Sequence, residues 1–333
     1  MNWFGSMPKI KVPKISVPKI SVCIPTYNRA HFLSGAIASV QAQTISDWEL
    51  VVCDDGSTDG TPELMAGYAD SRIHYVRHAV NIGKSNNMRS GFAAATGKYF
   101  VKFDDDDRLM PDFLLKMSQV LDQNPTAGLV GSDHWVMDEV GKVRSDWSDA
   151  NSVKWGRSQL ASGFLPDLLH QVFVIQSLQI GATLWRLDVL KDLDYMRQDW
   201  QNCEDNDLLV RFALSDRQGA YLSERLMSYR FHSEQQGIDR AIPYFTDKLH
   251  YLDAYRFEDK TIESIRQSRL AETQLLLGLR LIEQGETDRG RELMQLGRSH
   301  APKKAMAGLL LSHVPKPFRS AAFGMVRSIV SDR

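Results

Sequence analysis

The sequence predicts an α/β fold: a mostly parallel central sheet flanked by helices, with an α-helical appendage at the C-terminal end. Three observations predict it. Short apolar runs alternate with helix-period stretches from Ser21 to Ala95, a pattern that implies right-handed crossovers and parallel strands. Polar segments rich in aspartate and glycine follow the apolar runs directly, and the C-terminal strand ends of such sheets are where ligands bind. From about Ile242 the pattern becomes helical only.

The elements follow in order. Residues 8–22 hold a pentad repeat, Pro-Lys-Ile-Lys-Val and then Pro-Lys-Ile-Ser-Val twice. Only the last copy runs on into Cys23-Ile24-Pro25, so it is the expected first strand; proline punctuates the others, which read as an extended tail over 1–18. Phe32, Leu33, Ala36, Ile37 and Val40 have helical spacing. A strand over 48–53, a helix from Thr61, a strand over 72–76 and a helix over 85–95 come next. The run Tyr99-Phe100-Val101-Lys102-Phe103 is a strand, and Pro111 marks the first position of a helix. Strands over 128–132, 178–185 and 226–231 and a helix from about Glu204 complete an α/β domain over 19–240, with a less regular stretch at 140–175. In the helical region, 241–333, Leu275, Leu276, Leu279 and Ile282 form a stripe ending at Gly285. Thr287 can cap a second helix that ends before Pro302. The pair resembles one hairpin of a tetratricopeptide array, although a packing appendage is the simpler expectation. A last helix over 318–330 is amphipathic and basic, suited to an anionic membrane surface or to core packing.

Bulk properties narrow the function. The chain has 333 residues, 43% hydrophobic and 24% charged, enough for one large domain with an addition. A formal net charge of −1 gives no nucleic-acid footprint. Cys23, Cys53 and Cys203 form no Cys-x-x-Cys pair, which argues against zinc and suits a reducing compartment. Residues 1–21 lack an apolar signal core, and no stretch reaches the roughly 20 apolar residues of a membrane span. The expected location is cytoplasmic, with peripheral contact at the inner face of the membrane through the basic C-terminal helix.

The chemistry gathers at strand ends. Asp104, Asp105, Asp106 and Asp107 repel one another, and a divalent ion holding a diphosphate would offset that repulsion; a solvated acidic turn is the plain alternative. In Pro25-Thr26-Tyr27-Asn28-Arg29 the tyrosine can stack on a base. Asp54-Asp55-Gly56-Ser57-Thr58-Asp59 supplies a tight turn and a carboxylate that can accept from a base N–H. Asn81-Ile82-Gly83-Lys84 and Arg89 bring cations suited to phosphate. Asn202-Cys203-Glu204-Asp205-Asn206-Asp207 opens a helix. Any one of these alone would be a turn or a helix cap. Trp135, Trp185 and Trp200 could stack on sugar rings or pack in the core.

As an ordered series, these segments resemble the family 2 glycosyltransferases, with the A-type nucleotide-diphospho-sugar transferase fold. The resemblance covers about residues 19–235 and omits the helical C-terminus. It implies inverting, metal-dependent transfer of a sugar from a nucleotide-diphosphate donor, UDP-sugar foremost, to a hydroxyl of a glycan or lipid-linked glycan. It implies nucleotide-sugar contacts at Pro25, Thr26, Tyr27, Arg29, Asp55, Lys84, Arg89, Asp104 and Asp105, with Asp55 reading the base. Asp104 and Asp106 match the Asp-x-Asp motif, and Asp106, Asp104 and His232 are the implied contacts to Mg2+ or Mn2+. The run of four acids leaves that register open by one, so Asp105 or Asp107 could take a neighbour's role. Asp205 matches the general base. The chain departs from the family at Met88-Arg89-Ser90, where Ala-Arg-Asn is common, and at Trp200-Gln201-Asn202-Cys203, where glycines are common. A sugar-nucleotide pyrophosphorylase would need a glycine-rich basic loop after the first strand. A processive synthase would need membrane spans and Gln-x-x-Arg-Trp. A catalytically inactive nucleotide-sugar-binding or scaffold protein is the remaining alternative.

Overall fold

The computed structural model describes residues 17–198, 200–232, 241–315, 318, 319 and 321. Most of the expected tail and of the expected helix over 318–330 lies outside them.

The chain runs β1 (Ile20–Thr26), α1 (Ala30–Gln41), β2 (Trp48–Asp54), α2 (Thr61–Ala66), β3 (Ile73–Arg77), α3 (Lys84–Ala94) and β4 (Tyr99–Lys102). It continues through β5 (Arg108–Leu109), α4 (Phe113–Gln123), β6 (Ala127–Met137), α5 (Ser145–Lys154), β7 (Gly163–Phe164), β8 (Thr183–Arg186), α6 (Leu187–Asp192), α7 (Glu204–Ala213) and β9 (Gln218–Arg230). Four helices follow: α8 (Ala241–Asp253), α9 (Lys260–Gln284), α10 (Thr287–Leu296) and α11 (Pro302–Leu311).

One sheet has the order β3-β2-β1-β4-β8-β6-β9-β5, with β7 also on β9. The parallel expectation holds for β3-β2-β1-β4 and for β6 with β9. β8 runs antiparallel between β4 and β6, and β5 and β7 run antiparallel to β9. Because β8 reverses direction twice over, β4, β6 and β9 point the same way as β1 and β2. Their C-terminal ends therefore share one edge.

Alternation along the strands builds two apolar layers. Ile20, Val22, Ile24, Leu50 and Val52 meet Leu33, Ile37 and Val40 of α1 and Leu114 and Met117 of α4. Cys23, Val51, Cys53 and Phe100 meet Met88 of α3, Leu190 of α6, Phe212 of α7 and Tyr251 of α8 on the other face. Gly91 lets α3 approach closely: a Cβ there would stand 2.3 Å from each of the Cys23 and Cys53 sulfurs. A third cluster, Leu275, Ile282, Met294, Ala305 and Leu311, joins α9, α10 and α11. Among the described residues no helix is long and apolar enough to cross a membrane.

Several boundaries differ from expectation for identifiable reasons. Helix α4 begins at Phe113, not Pro111, because Met110 still donates to the Leu226 carbonyl and the Pro111 carbonyl accepts from Thr44. In 178–185 the Gln179 side chain accepts from the Ala182 amide at 2.7 Å and makes a 3-10 turn, so the strand is only 183–186. Strands β6 and β9 are longer than expected, since Asp133 and Arg225 interrupt their apolar runs at a register shift yet remain paired. The stretch 140–175 contains α5 and a π-helical turn, His170–Ile175. Thr287 does not cap α10: it is the first helical residue, and its hydroxyl donates back to the Gly285 carbonyl at 3.3 Å.

Candidate nucleotide-sugar site

Residues from several elements enclose a cleft of about 650 Å³ at the C-terminal edge of the sheet. Pro25, Thr26, Tyr27, Arg29, Asp55, Lys84, Asp104, Asp105 and Asp106 line it, as the sequence predicts. So do Asn81, Gly83, Asn87, Gln201, Asn202, Tyr229 and Pro243, which carry no predicted role.

The first wall is the end of β1. Asn28 has φ 54°, and its side-chain carbonyl accepts from the Thr58 amide at 2.8 Å, so the β1 and β2 loops are tied together. This leaves Tyr27 45% exposed at the mouth, an open face suited to a flat ring. The second wall is set by Asp55, which is buried and accepts from the amides of Ile82 (2.7 Å) and Gly83 (3.1 Å). Its carboxylate therefore shapes the 81–83 loop, a role the sequence reading missed. Asn87 donates to the Cys53 carbonyl at 2.8 Å and fixes α3 behind that loop.

The acidic turn forms the floor, with Asp105 and Asp106 both facing Arg29. Asp104 accepts from Lys102 at 2.7 Å. Asp105 accepts from the Thr26 hydroxyl at 2.7 Å, and Asp106 from Arg29 at 2.7 Å. His232 Nε2 lies 2.9 Å from Asp106 Oδ2. Asp107 turns inward and accepts from the Arg230 amide at 2.8 Å. Burial, then the charge of Asp106, pushes the Asp105 carboxyl up to about 7. Burial, with Asp106 and Asp104, also raises Asp107 well above the carboxylate range. Burial works the same way on Asp104, but Lys102 and Lys84 outweigh it and hold that carboxyl low. Asp105 and Asp107 thus resist ionisation beside the other acids, so a cation at this turn would favour their charged forms.

The far wall is Gln201 and Asn202, and the start of α7 stands behind them. Lys84 Nζ lies 2.5 Å from Glu204 Oε1, and Glu204 is buried. Burial raises the Glu204 carboxyl above its usual value, although Lys84 opposes this. Asp205 stands in the first turn of α7, and its buried Oδ1 has no hydrogen-bond partner among the described residues.

Arg89, Asp205, His232 and the three tryptophans are not among the residues that line the cleft. Arg89 does not line the cleft; its guanidinium is engaged by the carbonyls of Asp194 (2.8 Å) and Met196 (2.7 Å) and by the Asp194 carboxylate (2.9 Å). It points from α3 toward the 194–196 turn and not into the cleft. Trp185 is buried against Phe212 in the core, and Trp200 and Trp135 lie under Arg197 and Arg225.

Among the described residues no group of three or more histidine, cysteine or carboxylate side chains stands at metal-ligand spacing. Asp106 Oδ2 is shared by Arg29 and His232, and one Asp104 oxygen is committed to Lys102. A hard divalent ion fits these oxygen donors if a diphosphate supplies further oxygens.

Comparison with known proteins agrees with this geometry. Residues 21–167 match the family model described as Glycosyl transferase family 2. EpsE of Bacillus subtilis (strain 168), named as a glycosyltransferase, is 30% identical over 218 residues, 64% of this chain and 73% of that protein. The chain belongs to glycosyl transferase family 2. Its class is therefore that of a sugar-transferring enzyme. The Escherichia coli UDP-Glc:alpha-D-GlcNAc-diphosphoundecaprenol beta-1,3-glucosyltransferase WfgD is 33% identical over 104 residues, 31% of this chain and 41% of that one. Coverage varies, and the chain spans only 24% of the Sinorhizobium fredii protein y4gI, with which it is 29% identical. In fold it is similar to S. aureus TarS 1-349 in complex with UDP-GlcNAc, with TM-score 0.61, 16% identity and 91% and 92% of the two chains covered. It is also similar to the mannosyltransferase PcManGT from Pyrobaculum calidifontis in complex with GDP-Man and Mn2+, with TM-score 0.56, 16% identity and coverage of 95% and 88%. Both family 2 and the fold thus agree with the α/β architecture expected from the sequence.

Proposed function

We propose that this family 2 member transfers a sugar, with inversion, from a UDP-sugar to a hydroxyl of a glycan or lipid-linked glycan. The single observation that carries this reading is the convergence of three walls on one acid-floored cleft: the Tyr27 segment, the Asp55-held loop and the Gln201–Asn202 segment that leads into Asp205. The named activity of WfgD supports a lipid-linked acceptor, and the TarS complex with UDP-GlcNAc supports a UDP donor.

Tyr27 offers a face to the base, and the Ile82–Gly83 turn confines the nucleotide on the β2 side. Lys84 and Arg29 supply positive charge toward a diphosphate. Asp106 and His232 would hold Mg2+ or Mn2+, whose chemistry when bound is to neutralise charge on the departing diphosphate. Asp205, in the first turn of α7 behind Gln201 and Asn202, takes the proton from the attacking hydroxyl. Attack from the face opposite the leaving group inverts the anomeric centre, so one base suffices and no covalent intermediate on the protein is required.

A panel of UDP-, GDP- and dTDP-sugars, each with and without Mn2+ or Mg2+, tests the proposal by thermal stabilisation and donor cleavage. Metal-dependent stabilisation and cleavage by a UDP-sugar are expected. Absence of metal and nucleotide uptake by calorimetry across the panel would overturn the reading. Uptake without cleavage, with or without acceptor glycans, would favour a binding protein.

A further inference from the structure

We infer that Asp247 of α8 is a positioning residue for Asp205, so that the catalytic unit extends past residue 240 into the helical region. The inference rests on the reading of Asp205 as the base. One oxygen of Asp247, Oδ2, accepts three hydrogen bonds: from the Gln201 amide at 3.2 Å, the Asn202 amide at 3.0 Å and the Asn202 side-chain amide at 2.9 Å. These residues form the segment that leads directly into Glu204 and Asp205.

That segment is caught between two bodies. On the α3 side, the Gln201 side-chain oxygen accepts from the Ser85 amide at 3.4 Å, and the Ser85 hydroxyl donates to the Trp200 carbonyl. On the other side lies α8, whose Pro243 reaches the cleft. The backbone in between is not at rest by itself. Cys203, the residue before α7, has φ 62°, in the left-handed region that side-chain-bearing residues disfavour. A segment free to relax would move Cys203 out of that region and turn the first helical turn, and Asp205 with it. Asp247 opposes the relaxation by fixing the two amides just before the strained residue.

Helix α8 is a firm anchor for this contact. Its Tyr251 and Leu252 are buried in the core layer, and Arg266 of α9 donates to the Leu252 carbonyl at 2.8 Å. The following turn grips α7 again, where the Tyr255 hydroxyl donates to Asp207 Oδ1 at 2.5 Å. α7 is thus held at two points from the helical region, one before Asp205 and one after it.

The test compares Asp247→Ala, Asp247→Asn and Asp247→Ala/Cys203→Gly in the full chain. Asp247 is half-buried on a helix, where alanine is well tolerated. Asp247→Ala is expected to lower kcat for UDP-sugar turnover about 100-fold, the scale of an ångström-level displacement of a reacting group. Affinity for UDP with Mn2+, and KM, should stay within about threefold, because Asp205 acts on the acceptor proton. Asp247→Asn keeps an acceptor oxygen in place and should restore most of kcat. Cys203→Gly removes the backbone strain and should recover part of kcat in the alanine background. An Asp247→Ala kcat within twofold of wild type would overturn the inference. So would an Asp247→Asn enzyme as slow as the alanine variant, or a loss confined to melting temperature and UDP affinity. Asp205→Asn is measured in parallel. If it retains turnover, the base assignment fails, a result separable from any effect at Asp247.

Discussion

Lys84 and Glu204 meet at 2.5 Å, joining the start of α3 to the start of α7 across the cleft. The pair ties the helical turn that carries Asp205 to the loop that precedes α3. Asp205→Asn leaves that pair intact and removes only the basic oxygen. Donor turnover should fall by about 100- to 10,000-fold, the usual contribution of a general base. UDP affinity with Mn2+, measured by calorimetry, should change by less than about threefold. Equal loss of binding and turnover would make Asp205 a structural residue.

Asp55 offers a second test, because both its oxygens are already engaged by Ile82 and Gly83. Asp55→Ala strands two amides and should cost roughly 1–3 kcal/mol in urea denaturation. Nucleotide affinity should fall with it, since the loop it holds is a wall of the cleft. Asp55→Asn keeps one acceptor and should lose less on both counts. Unchanged stability in the alanine variant would contradict the loop-holding role.

Gly91→Ala should destabilise the chain by about 1–3 kcal/mol, because the new methyl group collides with two buried sulfurs. Replacing Cys23 and Cys53 by alanine in the same chain opens that space and should recover much of the loss. Chemical denaturation of the single and triple variants reads this directly. If the triple variant is no more stable than Gly91→Ala alone, the collision is not the cause.

His134 gives a pH prediction. Burial, reinforced by the charge of Arg157, lowers its ring to about 3 in the folded chain, against about 6.5 when unfolded. The unfolded chain therefore binds the extra proton first. This contribution to stability is complete above pH 6.5 and drains away as pH falls toward 3. The carboxylates held low, such as Asp70 and Glu263, each at about 2, act only below their ordinary range. Asp105, raised to about 7, acts in the opposite sense over this range, so the test is the difference: from about pH 7.5 to 5 the urea midpoint of the wild type should fall relative to that of a His134→Gln chain. Parallel midpoints in the two proteins would refute the assignment.

Much of this site was legible because its residues sit where an apolar run stops. Thr26 ends a strand, and Asp55 and Asp104 follow strands, whose ends are written in the sequence, and local chemistry alone placed them on one edge. What was not legible depends on contacts distant in sequence. Arg89 carries the right charge for phosphate, yet the carbonyls of Asp194 and Met196 claim it from another loop. Asp247 lies in an ordinary polar helix stretch, and nothing local marks it as the acceptor for Gln201 and Asn202. The direction of β8 was equally hidden, because a four-residue strand with three buried residues fits either orientation and only β4 and β6 decide between them. Asp133 and Arg225 broke the apolar pattern of β6 and β9, so two long strands looked short; their pairing with each other is what lets both strands continue.

The placement of β8 also bears on how a newborn chain assembles. The first four strands can join as soon as Lys102 has emerged, but the partner for the far side of β4 begins only at Thr183. At about 5–20 residues per second, a ribosome needs on the order of ten seconds to deliver it. Through that interval Tyr99 to Lys102 form an open border, with backbone donors and acceptors unmatched on one side. The nascent half-sheet is then most exposed to mispairing with a neighbouring polypeptide, and slowed elongation between these two points should make it a substrate for chaperones.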